Sequence, residues 1–474
     1  MQFNSLLFVW FFLAVYAIYL LLLSSRHKLQ NAALLAASYI FYGYWDWRFL
    51  SLILISTVVD FFAGRFIARS ERDRTRRLLL GISITTNLSI LGFFKYFNFF
   101  ADSFAHVLAS AGLPANYTAL HIVLPVGISF YTFQTMSYTI DVYRGRLQPT
   151  RSLLDFALFV AFFPQLVAGP IERAVNLLPQ IARPRRVRAE QVNAGLFLLL
   201  WGYYKKAVVA DNLGVRADDI FNNYAQFGGI DLIIGMLAFT LQIYCDFSGY
   251  SDIARGLAKL MGFDLMVNFR LPYFALDPSD FWRRWHISLS SWLRDYLYIP
   301  LGGNRRGRFQ TYRNLTLTML LGGLWHGAAW NFLLWGGYHG TILSIHRFLQ
   351  RRSRDAPHQG VEYLRLSLVA RALGMFALTV IGWVIFRSHS VEQVFYMLTN
   401  AGPSLSAHSL SLAYDLLFFS APLLIIQMYQ QLTGDLLILT KLRYPFRVAV
   451  YGFILSWVFI YAVRESAQFI YFQF

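Results

Sequence analysis

Residues 280–314 read DFWRRWHISLSSWLRDYLYIPLGGNRRGRFQTYRN, and residues 315–340 continue LTLTMLLGGLWHGAAWNFLLWGGYHG. The first part mixes Trp, Arg, Asp and His in an amphipathic pattern that breaks at Pro300 and Gly302–Gly303. The second part is apolar over a length that can cross a bilayer, yet it carries His326 near its middle. A titratable imidazole at membrane depth is costly unless it has a partner or lines a wet cavity. The stretch therefore predicts a membrane-embedded chain with a functional histidine, and a satisfied core histidine is the alternative.

The composition of the whole chain agrees with a membrane protein. Of 474 residues, 57% are hydrophobic and only 14% are charged. The formal net charge of +17 could suggest a nucleic-acid partner. The Lys and Arg residues, however, fall in short clusters between apolar runs, which is typical of the positive-inside rule. We therefore expect membrane lipid and no nucleic acid as a partner.

Apolar runs of about 20 residues recur along the chain, the length that a helix needs to cross a hydrocarbon core. They predict an all-α polytopic membrane protein, a helical bundle of about eleven spans plus re-entrant helices. The basic clusters place the N-terminus and the C-terminal peptide, residues 467–474, on the extracytoplasmic side of the membrane. Around residues 155–170 the pattern breaks at Pro164, Gly169 and Pro170. A re-entrant or broken helix is favoured there, and a full crossing is the alternative.

Two further segments leave alternatives open. Residues 242–256, QIYCDFSGYSDIARG, are unusually polar for membrane depth. They form either an interfacial loop that caps a helix beginning near Ser251, or the wall of a wet cavity. Residues 280–308 are expected to lie flat on the cytoplasmic face. The run from Leu315 to Ile345 then crosses, with a kink at Gly336–Gly337, and the basic residues after it demand a short extra crossing or a helix broken near His326.

Several reaction types are excluded by their missing motifs: G-x-S-x-G, G-x-x-x-x-G-K-[ST], G-x-G-x-x-G and H-E-x-x-H do not occur. The single cysteine, Cys245, excludes an intrachain disulfide and a multi-cysteine zinc site. No acidic or sulfur ligand lies at metal spacing from the histidines, so no metal is expected. What remains is a buried imidazole acting as a general base, which can take a proton from a hydroxyl attacking a thioester or ester.

The blocks FWRRWHISLSSWLRDYLYIPLGGNR and GGLWHGAAWNFLLWGGYHG, with QIYCDFSGYSD before them and GWVIFR after them, strongly resemble the membrane-bound O-acyltransferase family. The branch that they resemble is the bacterial alginate O-acetyltransferase type, which includes peptidoglycan and cellulose acetylation proteins and the teichoic-acid D-alanylation acyltransferase. The likeness runs over essentially the whole chain. It implies one integral-membrane domain over residues 1–474, with residues 280–340 as the catalytic core around a transmembrane tunnel.

The resemblance also implies roles for individual residues. The histidine of the W-H-G context, here His326, is the central catalytic residue of the family, and His286 after F-W-R-R-W is the other family-typical histidine. Acetyl-CoA is then the donor substrate, with no permanently bound cofactor. The arginines Arg283, Arg284, Arg305 and Arg306 are candidates to bind its phosphates, and setting the topology is their plain alternative.

The ending FIYFQF resembles the short tyrosine-bearing C-terminal peptides that serve as acyl relays in this branch. Tyr471 would then carry the acyl group between a cytoplasmic donor and an external acceptor. A phenol, with pKa of about 10, is easier for a neutral histidine to activate than an alkyl alcohol. An aromatic anchor at the outer interface is the alternative for this residue.

These expectations converge on an O-acetyltransferase of the bacterial inner membrane that serves the O-acetylation of an exported polysaccharide of the alginate, peptidoglycan or cellulose type. The expected partners are the polysaccharide and an extracytoplasmic acetyltransferase of the SGNH type. One alternative is an acyltransferase for another group, such as D-alanine from a carrier protein to teichoic acid. A transporter is the non-enzymatic alternative, since many spans and a buried histidine also suit a proton-coupled carrier.

Overall fold

The computed structural model of the chain describes residues 1, 3–22, 26–113, 122–167, 169–305, 307–353 and 361–463. Within these ranges the regular structure is helical, with no β-strand, which confirms the all-α prediction. The chain forms two compact units, Met1–Gly195 with Ala254–Met266 (unit 1) and Leu196–Ile253 with Val267–Phe474 (unit 2). One domain over residues 1–474 stays a prediction, and each unit is described by itself.

Unit 1 is built around one helix that is buried on all sides. Its helices are α1 Leu6–Leu21, α2 His27–Asp46, α3 Leu50–Arg69, α4 Asp73–Ser110, α5 Ile128–Tyr143, α6 Leu153–Ala161, α7 Phe163–Leu166 and α8 Ala174–Ala182. Helix α5 is buried from Ile128 to Val142 and packs against α3, α4 and α6. Asp60 on α3 accepts hydrogen bonds from Asn87 of α4 (2.7 Å) and Thr139 of α5 (2.7 Å). These bonds satisfy a carboxyl group that would otherwise be costly to bury.

Unit 2 holds most of the stretch that the sequence singles out. Helix α9, Ala189–Tyr203, leads into it through a π-helical segment, Tyr204–Ala210. The following helices are α10 Asp211–Asn222, α11 Gly229–Leu260, α12 Pro278–Arg284, α13 Ile287–Leu293, α14 Arg308–His326, α15 Trp330–Ser353, α16 Val361–Arg387, α17 Val391–Thr399, α18 Ser409–Thr433 and α19 Tyr444–Tyr461. A second π-helical segment, Arg294–Tyr298, extends α13.

Several helices are suited to a bilayer. In the described part of the chain, six helical stretches are long and apolar enough to cross a membrane: His27–Arg69, Asp73–Ser110, Gly229–Leu260, Ser367–Arg387, Ser409–Thr433 and Tyr444–Tyr461. Helix α1 is a shorter apolar helix. The chain is a multi-pass membrane protein, while the count of about eleven spans stays a prediction.

The interruption predicted around residues 155–170 is present. Helix α6 ends at Ala161, the four-residue α7 follows, and Gly169–Pro170 separate it from α8. The side chains of Phe159 and Phe163 are fully buried on either side of the first break. Irregular backbone at this point is therefore covered by protein, as non-helical backbone in a membrane protein must be. That both flanking basic clusters lie on one side of the membrane stays a prediction.

Helices α14 and α15 form a tight antiparallel hairpin. A Cβ atom built on Gly323 would lie 2.1 Å from the carbonyl oxygen of Phe332, and one on Gly336 would lie 2.4 Å from that of Met319. Both pairs are centred between residues 327 and 328, as in an antiparallel hairpin, so the chain reverses direction directly after His326. The helix is thus broken at the histidine, which was one of the two predicted alternatives. Helix α15 runs unbroken through Gly336–Gly337, where Gly336 serves close helix packing, and a kink there stays a prediction.

Helix α11 shows which of the two alternatives for the polar segment 242–256 fails. It runs without a break through the polar segment 242–256, so no helix begins at Ser251 and the capping-loop interpretation is wrong. The polar side chains find partners instead. Lys206 in the π-helical segment lies 2.8 Å from both Asp211 and Asp246, and Lys205 lies 2.7 Å from Asp252. Burial of these ion pairs accounts for charge inside an apolar helix.

Candidate active site

His326 lies at the turn of the α14–α15 hairpin. It is the last residue of α14, and Gly327 after it is extended, with φ −157°. A Cβ atom at position 327 would lie 2.0 Å from the ring of Phe332, so glycine is required for the chain to turn here. The imidazole is 4% exposed. The hairpin therefore places the buried imidazole of His326 where the helical backbone ends.

Aromatic rings surround this imidazole. The ring centroids of Trp325 and Trp335 each lie 5.1 Å from that of His326, both nearly perpendicular to it. Phe386 of α16 lies 5.7 Å away, and the ring of His286 lies 6.3 Å away. Such a shell leaves little room beside the histidine and keeps it in an apolar environment.

His286 is the second buried imidazole of the site, and its backbone is strained. It precedes α13 with φ 42° and ψ 55°, the left-handed region that non-glycine residues rarely adopt, and its side chain is fully buried. Strain of this kind, typically about 1–3 kcal/mol, persists only where the surroundings enforce it, and it is concentrated at functional sites. Burial lowers the pKa of His286 to about 3. The ring is therefore neutral near pH 7.

Asn268 holds His286 in place and was missed by sequence reasoning. Its Oδ1 lies 3.1 Å from His286 Nδ1 and accepts a hydrogen bond from Ser288 Oγ (2.9 Å). Because Asn268 Nδ2 donates to Ser251 Oγ (3.3 Å), the atom that faces His286 is the amide oxygen, an acceptor. We therefore assign the imidazole proton to Nδ1 and the lone pair to Nε2.

The loop that carries Asn268 is fixed by backbone bonds. Asn268 O accepts from the backbone N–H of Ile287 (2.9 Å), and the backbone N–H of Arg270 donates to Arg284 O (2.9 Å). The residues 268–270 thus run alongside the two ends of the α12–α13 turn. One sequence signal pointed here: Ser251, a member of the polar segment that sequence reasoning had marked as a possible cavity wall.

A cavity of about 790 Å³ lies in the same unit, between the α12–α13 region, α14 and α15. Its basic lining residues are Arg270, Arg283, Arg284, Arg294 and Arg347. Arg284 is partly committed, with Nε 3.0 Å from Asp280 Oδ2 and Nη1 3.2 Å from the side-chain oxygen of Gln431. The arginines outnumber the single lining carboxylate of Asp280, so the cavity favours an anionic ligand.

Three polar atoms in the lining are buried without a hydrogen-bond partner in the described part of the chain: Trp282 Nε1, Tyr298 OH and Arg347 Nε. Buried donors of this kind are normally satisfied, so their common position in one cavity indicates a ligand that offers acceptor atoms. Phosphate oxygens and amide carbonyls are such acceptors.

Two tryptophan rings connect this cavity to the buried histidine. The ring of Trp282, a lining residue, lies 5.8 Å from that of Trp335, whose ring in turn lies 5.1 Å from His326. Met319, which also lines the cavity, precedes His326 by seven residues, about 10 Å along the axis of α14. A ligand in the cavity could therefore extend a narrow arm toward the imidazole.

Some of the predicted site residues lie in the site and others do not. It brings His326 and His286 together and places Arg283 and Arg284 in the cavity lining. Arg305 lies exposed on the turn after Gly303, apart from the lining residues of that cavity. Arg306 and Tyr471 lie outside the described residues. Sequence reasoning missed Arg270, which stands alone among apolar residues, and Arg347, whose basic cluster was used only to set the topology.

The end of α19 is anchored in unit 2. Asn212 Nδ2 donates to the backbone oxygen of Tyr461 (2.9 Å), and the backbone N–H of Val463 donates to Ala207 O (3.2 Å). Ala207 belongs to the π-helical segment, a rare element that is frequent at functional sites. The last described residue of the chain therefore lies against this segment.

No group of three or more His, Cys, Asp or Glu residues that could hold a metal ion lies in the described ranges. The chemistry on offer is that of two buried imidazoles in an apolar shell next to a basic cavity. Such an arrangement suits proton transfer to and from a ligand whose anionic part binds outside the shell. Fold and site together define a multi-pass membrane enzyme.

Comparison with known proteins identifies the family. A sequence profile described as MBOAT, the membrane-bound O-acyltransferase family, matches residues 146–382. The chain is 44% identical over 398 residues to the probable alginate O-acetylase AlgI of Azotobacter vinelandii, covering 84% of this chain and 77% of that protein. It is 45% identical over 399 residues to the protein of the same name from Pseudomonas aeruginosa, covering 84% and 74%.

A third relative is the peptidoglycan O-acetyltransferase of Helicobacter pylori, 36% identical over 425 residues, covering 84% of this chain and 79% of that protein. The chain belongs to the membrane-bound O-acyltransferase family. It is an O-acyltransferase, which confirms the predicted enzyme class and excludes the transporter alternative as its main activity.

Proposed function

We propose that this enzyme transfers acetyl groups from cytoplasmic acetyl-CoA across the bacterial inner membrane to serve the O-acetylation of an exported or cell-surface polysaccharide. The observation that carries the proposal is the position of His326, one aromatic ring away from the basic cavity. The phosphates of coenzyme A suit the arginines of this cavity, since guanidinium groups bind phosphate through several donors at once.

The donor orientation follows from charge and size. The phosphates of coenzyme A would lie against Arg283 and Arg347, and its amide-bearing arm would meet the buried donors Trp282 Nε1 and Tyr298 OH. The arm would carry the thioester past Trp335 to His326. The positive-inside rule, applied to these arginines, favours entry of the donor from the cytoplasm.

The chemical step needs a base and an apolar site. His326 takes the proton from an acceptor hydroxyl as its oxygen attacks the thioester carbonyl carbon. A C–O bond forms, the C–S bond breaks, and the thiolate of coenzyme A receives the proton from the imidazolium. Atoms and charges balance without a metal or a redox partner. His286, neutral and oriented by Asn268, keeps a lone pair on Nε2 near this reaction.

The acceptor is assigned by analogy with the relatives, whose names specify alginate and peptidoglycan. An extracytoplasmic acetyltransferase of the SGNH type would complete delivery to the polysaccharide. Tyr471 would carry the acetyl group between the two enzymes. The backbone is held at Val463, and the eight residues 464–471, fully extended, would reach about 26 Å from it.

The test is transfer by the purified enzyme, reconstituted in vesicles with acetyl-CoA on one side and the glycan and its acetyltransferase on the other. His326→Gln should lower the rate by a factor of about 10² to 10⁴, the usual contribution of a general base. His408→Gln, a change at an exposed histidine of α18's N-terminus, is the control and should leave the rate unchanged.

Near-normal transfer by His326→Gln at matched protein levels would refute the catalytic role of His326. Acetyl transfer only with a charged carrier protein as the donor, and none with acetyl-CoA, would refute the donor assignment instead. The two outcomes are separate because the first changes the enzyme and the second changes the substrate.

A further inference from the structure

A second basic cavity, in unit 1, has no place in the proposed acyl transfer. It measures about 550 Å³ and lies between the end of α8, the segment of residues 183–188 and the loop after Leu260. Its arginines are Arg183, Arg185, Arg186 and Arg188. Two carboxylates, Glu190 and Asp264, also line it, so four guanidinium groups face two negative charges and the cavity as a whole favours an anion.

Arg185 forms the floor of this cavity and is 7% exposed. Its Nε donates to Tyr19 OH (3.1 Å), Nη1 to Ile181 O (3.2 Å) and Nη2 to the side-chain oxygen of Gln30 (3.3 Å). The guanidinium also lies 4.6 Å from the ring centroid of Phe263. All of these partners are neutral, and no carboxylate pairs with Arg185 within the described ranges. A buried charge without a counter-ion is costly, so an anion in the cavity would lower the energy of the fold.

The other three arginines are available for a ligand. The side chains of Arg183, Arg186 and Arg188 are exposed, and none has an ion pair or hydrogen bond to the described residues. The wall of the cavity opposite these arginines is held in place by hydrogen bonds. Gln180 donates to the backbone oxygen of Asp264 (3.0 Å) and accepts from its N–H (2.8 Å), which fixes the opposite wall.

The surroundings indicate where the anion comes from. The cavity adjoins the end of α1 through Tyr19, and the next residues along that helix, Leu20 and Leu21, are 55% and 81% exposed. Exposed leucines at the end of an apolar helix contact lipid acyl chains in a membrane protein. A phosphate here would therefore lie at headgroup depth, at the edge of an apolar helix surface. The positive-inside rule predicts the cytoplasmic leaflet.

We propose that this cavity binds the phosphate of an anionic phospholipid, with Arg183, Arg186 and Arg188 around the headgroup and Arg185 beneath it. The acyl chains would lie along the exposed leucines of α1. Free phosphate offers the same oxygens to the arginines but has no apolar part for that helix surface. This site is separate from the cavity beside His326, and its existence does not depend on the proposed acetyl transfer.

The experiment compares two triple variants that each remove three positive charges. R183Q/R186Q/R188Q changes the cavity. R72Q/R74Q/R77Q changes an equally exposed basic cluster at the start of α4 and is the matched control. Each protein is purified into nanodiscs of phosphatidylcholine with a small fraction of phosphatidylglycerol, and retained phosphatidylglycerol is counted by native mass spectrometry. The cavity variant should retain it about tenfold less than wild type, and the control variant should match wild type.

Three results would overturn the proposal. Equal losses in both triple variants would mean general attraction to a basic surface, and no loss in either would mean no site. Competition by millimolar inorganic phosphate, with equal binding of phosphate in detergent without lipid, would make free phosphate the ligand. Monodisperse elution and an unchanged helical circular dichroism spectrum show that the cavity variant is folded, so its result counts in either direction.

Discussion

The imidazole rings of His286 and His326 lie 6.3 Å apart, centroid to centroid, at an angle of 60°. The two residues are 40 positions apart in the sequence and come from different elements, the start of α13 and the end of α14. The ring of His286 is fixed by a side-chain amide, that of Asn268. The pair therefore combines an oriented imidazole with one at a backbone turn.

Asn268 should affect activity through His286. Asn268→Leu removes the acceptor for Nδ1–H, and we expect it to lower kcat by about as much as His286→Ala does. The double variant should lose no more than the single ones, because both remove the same interaction. Asn268→Asp keeps an acceptor but adds a negative charge, which raises the pKa of His286 from its low value.

The pH profile checks this interpretation. In Asn268→Asp, protonation of His286 begins at higher pH than in wild type, so activity should fall on acidification at a pH where wild type is still active. The sign follows from charge: a nearby carboxylate favours the imidazolium, and the imidazolium has no lone pair at Nε2. An unshifted profile together with additive losses in the double variant would argue for a merely structural Asn268.

Trp335 should limit the size of the acyl group, given that the enzyme uses acyl-CoA donors as proposed. Its ring lies between Trp282 of the cavity and His326, so Trp335→Ala opens space next to the reacting carbonyl. We expect the ratio of kcat/KM for butyryl-CoA to that for acetyl-CoA to rise about tenfold, within the usual range for pocket discrimination of methylene groups.

Trp383→Ala is the control for Trp335. Trp383 is equally buried and stacks on Trp335 at 6.0 Å, yet its ring is not among those that surround His326. Its replacement removes the same volume and should leave the ratio unchanged. If wild type already uses both donors equally, or if both tryptophan variants shift the ratio alike, Trp335 does not set the acyl length.

The cavity arginines should bind the donor rather than carry out chemistry. Arg283 and Arg284 both pair with Asp280, at 3.6 and 3.0 Å, but the side chain of Arg283 is 70% exposed and that of Arg284 only 22%, so Arg283 is the more accessible to a ligand. Arg283→Glu should therefore raise the KM for acetyl-CoA by about tenfold and lower kcat much less. Arg305→Glu makes the same charge change outside this cavity and should raise KM less. Unchanged kinetics in Arg283→Glu would mean that this arginine only sets the topology.

Tyr471→Phe should stop delivery to the glycan while leaving the protein inserted. The change keeps the ring, and hence any aromatic anchor, but removes the hydroxyl that would carry the acetyl group. Mass spectrometry of the C-terminal peptide, after a single incubation with acetyl-CoA, should show an added acetyl group in wild type and none in the variant. If the variant acetylates glycan at the wild-type rate, Tyr471 is an anchor and no relay.

The sequence by itself determined the membrane class, the helical architecture and the main candidate. Runs such as those within Ser409–Thr433 and Tyr444–Tyr461 are recognised directly as candidate membrane helices, because hydropathy is a local property of the chain. The interruption near Pro164 and Gly169 was equally readable, since proline and glycine act on their own backbone. His326 was also recognisable from local sequence, because it is a titratable side chain in an apolar run.

Tertiary structure alone decided how distant residues meet. The reversal at His326 depends on the close approach of Gly323 and Gly336 to backbone of the opposite helix, which no local pattern expresses. Reversal brings Arg347 into the lining of the cavity that also holds Arg283, so a residue that the sequence assigned only to topology becomes part of a binding cavity. Asn268 reaches His286 through a loop held by backbone bonds. Hydropathy describes each segment against the bilayer, whereas these contacts arise from the packing of segments against one another.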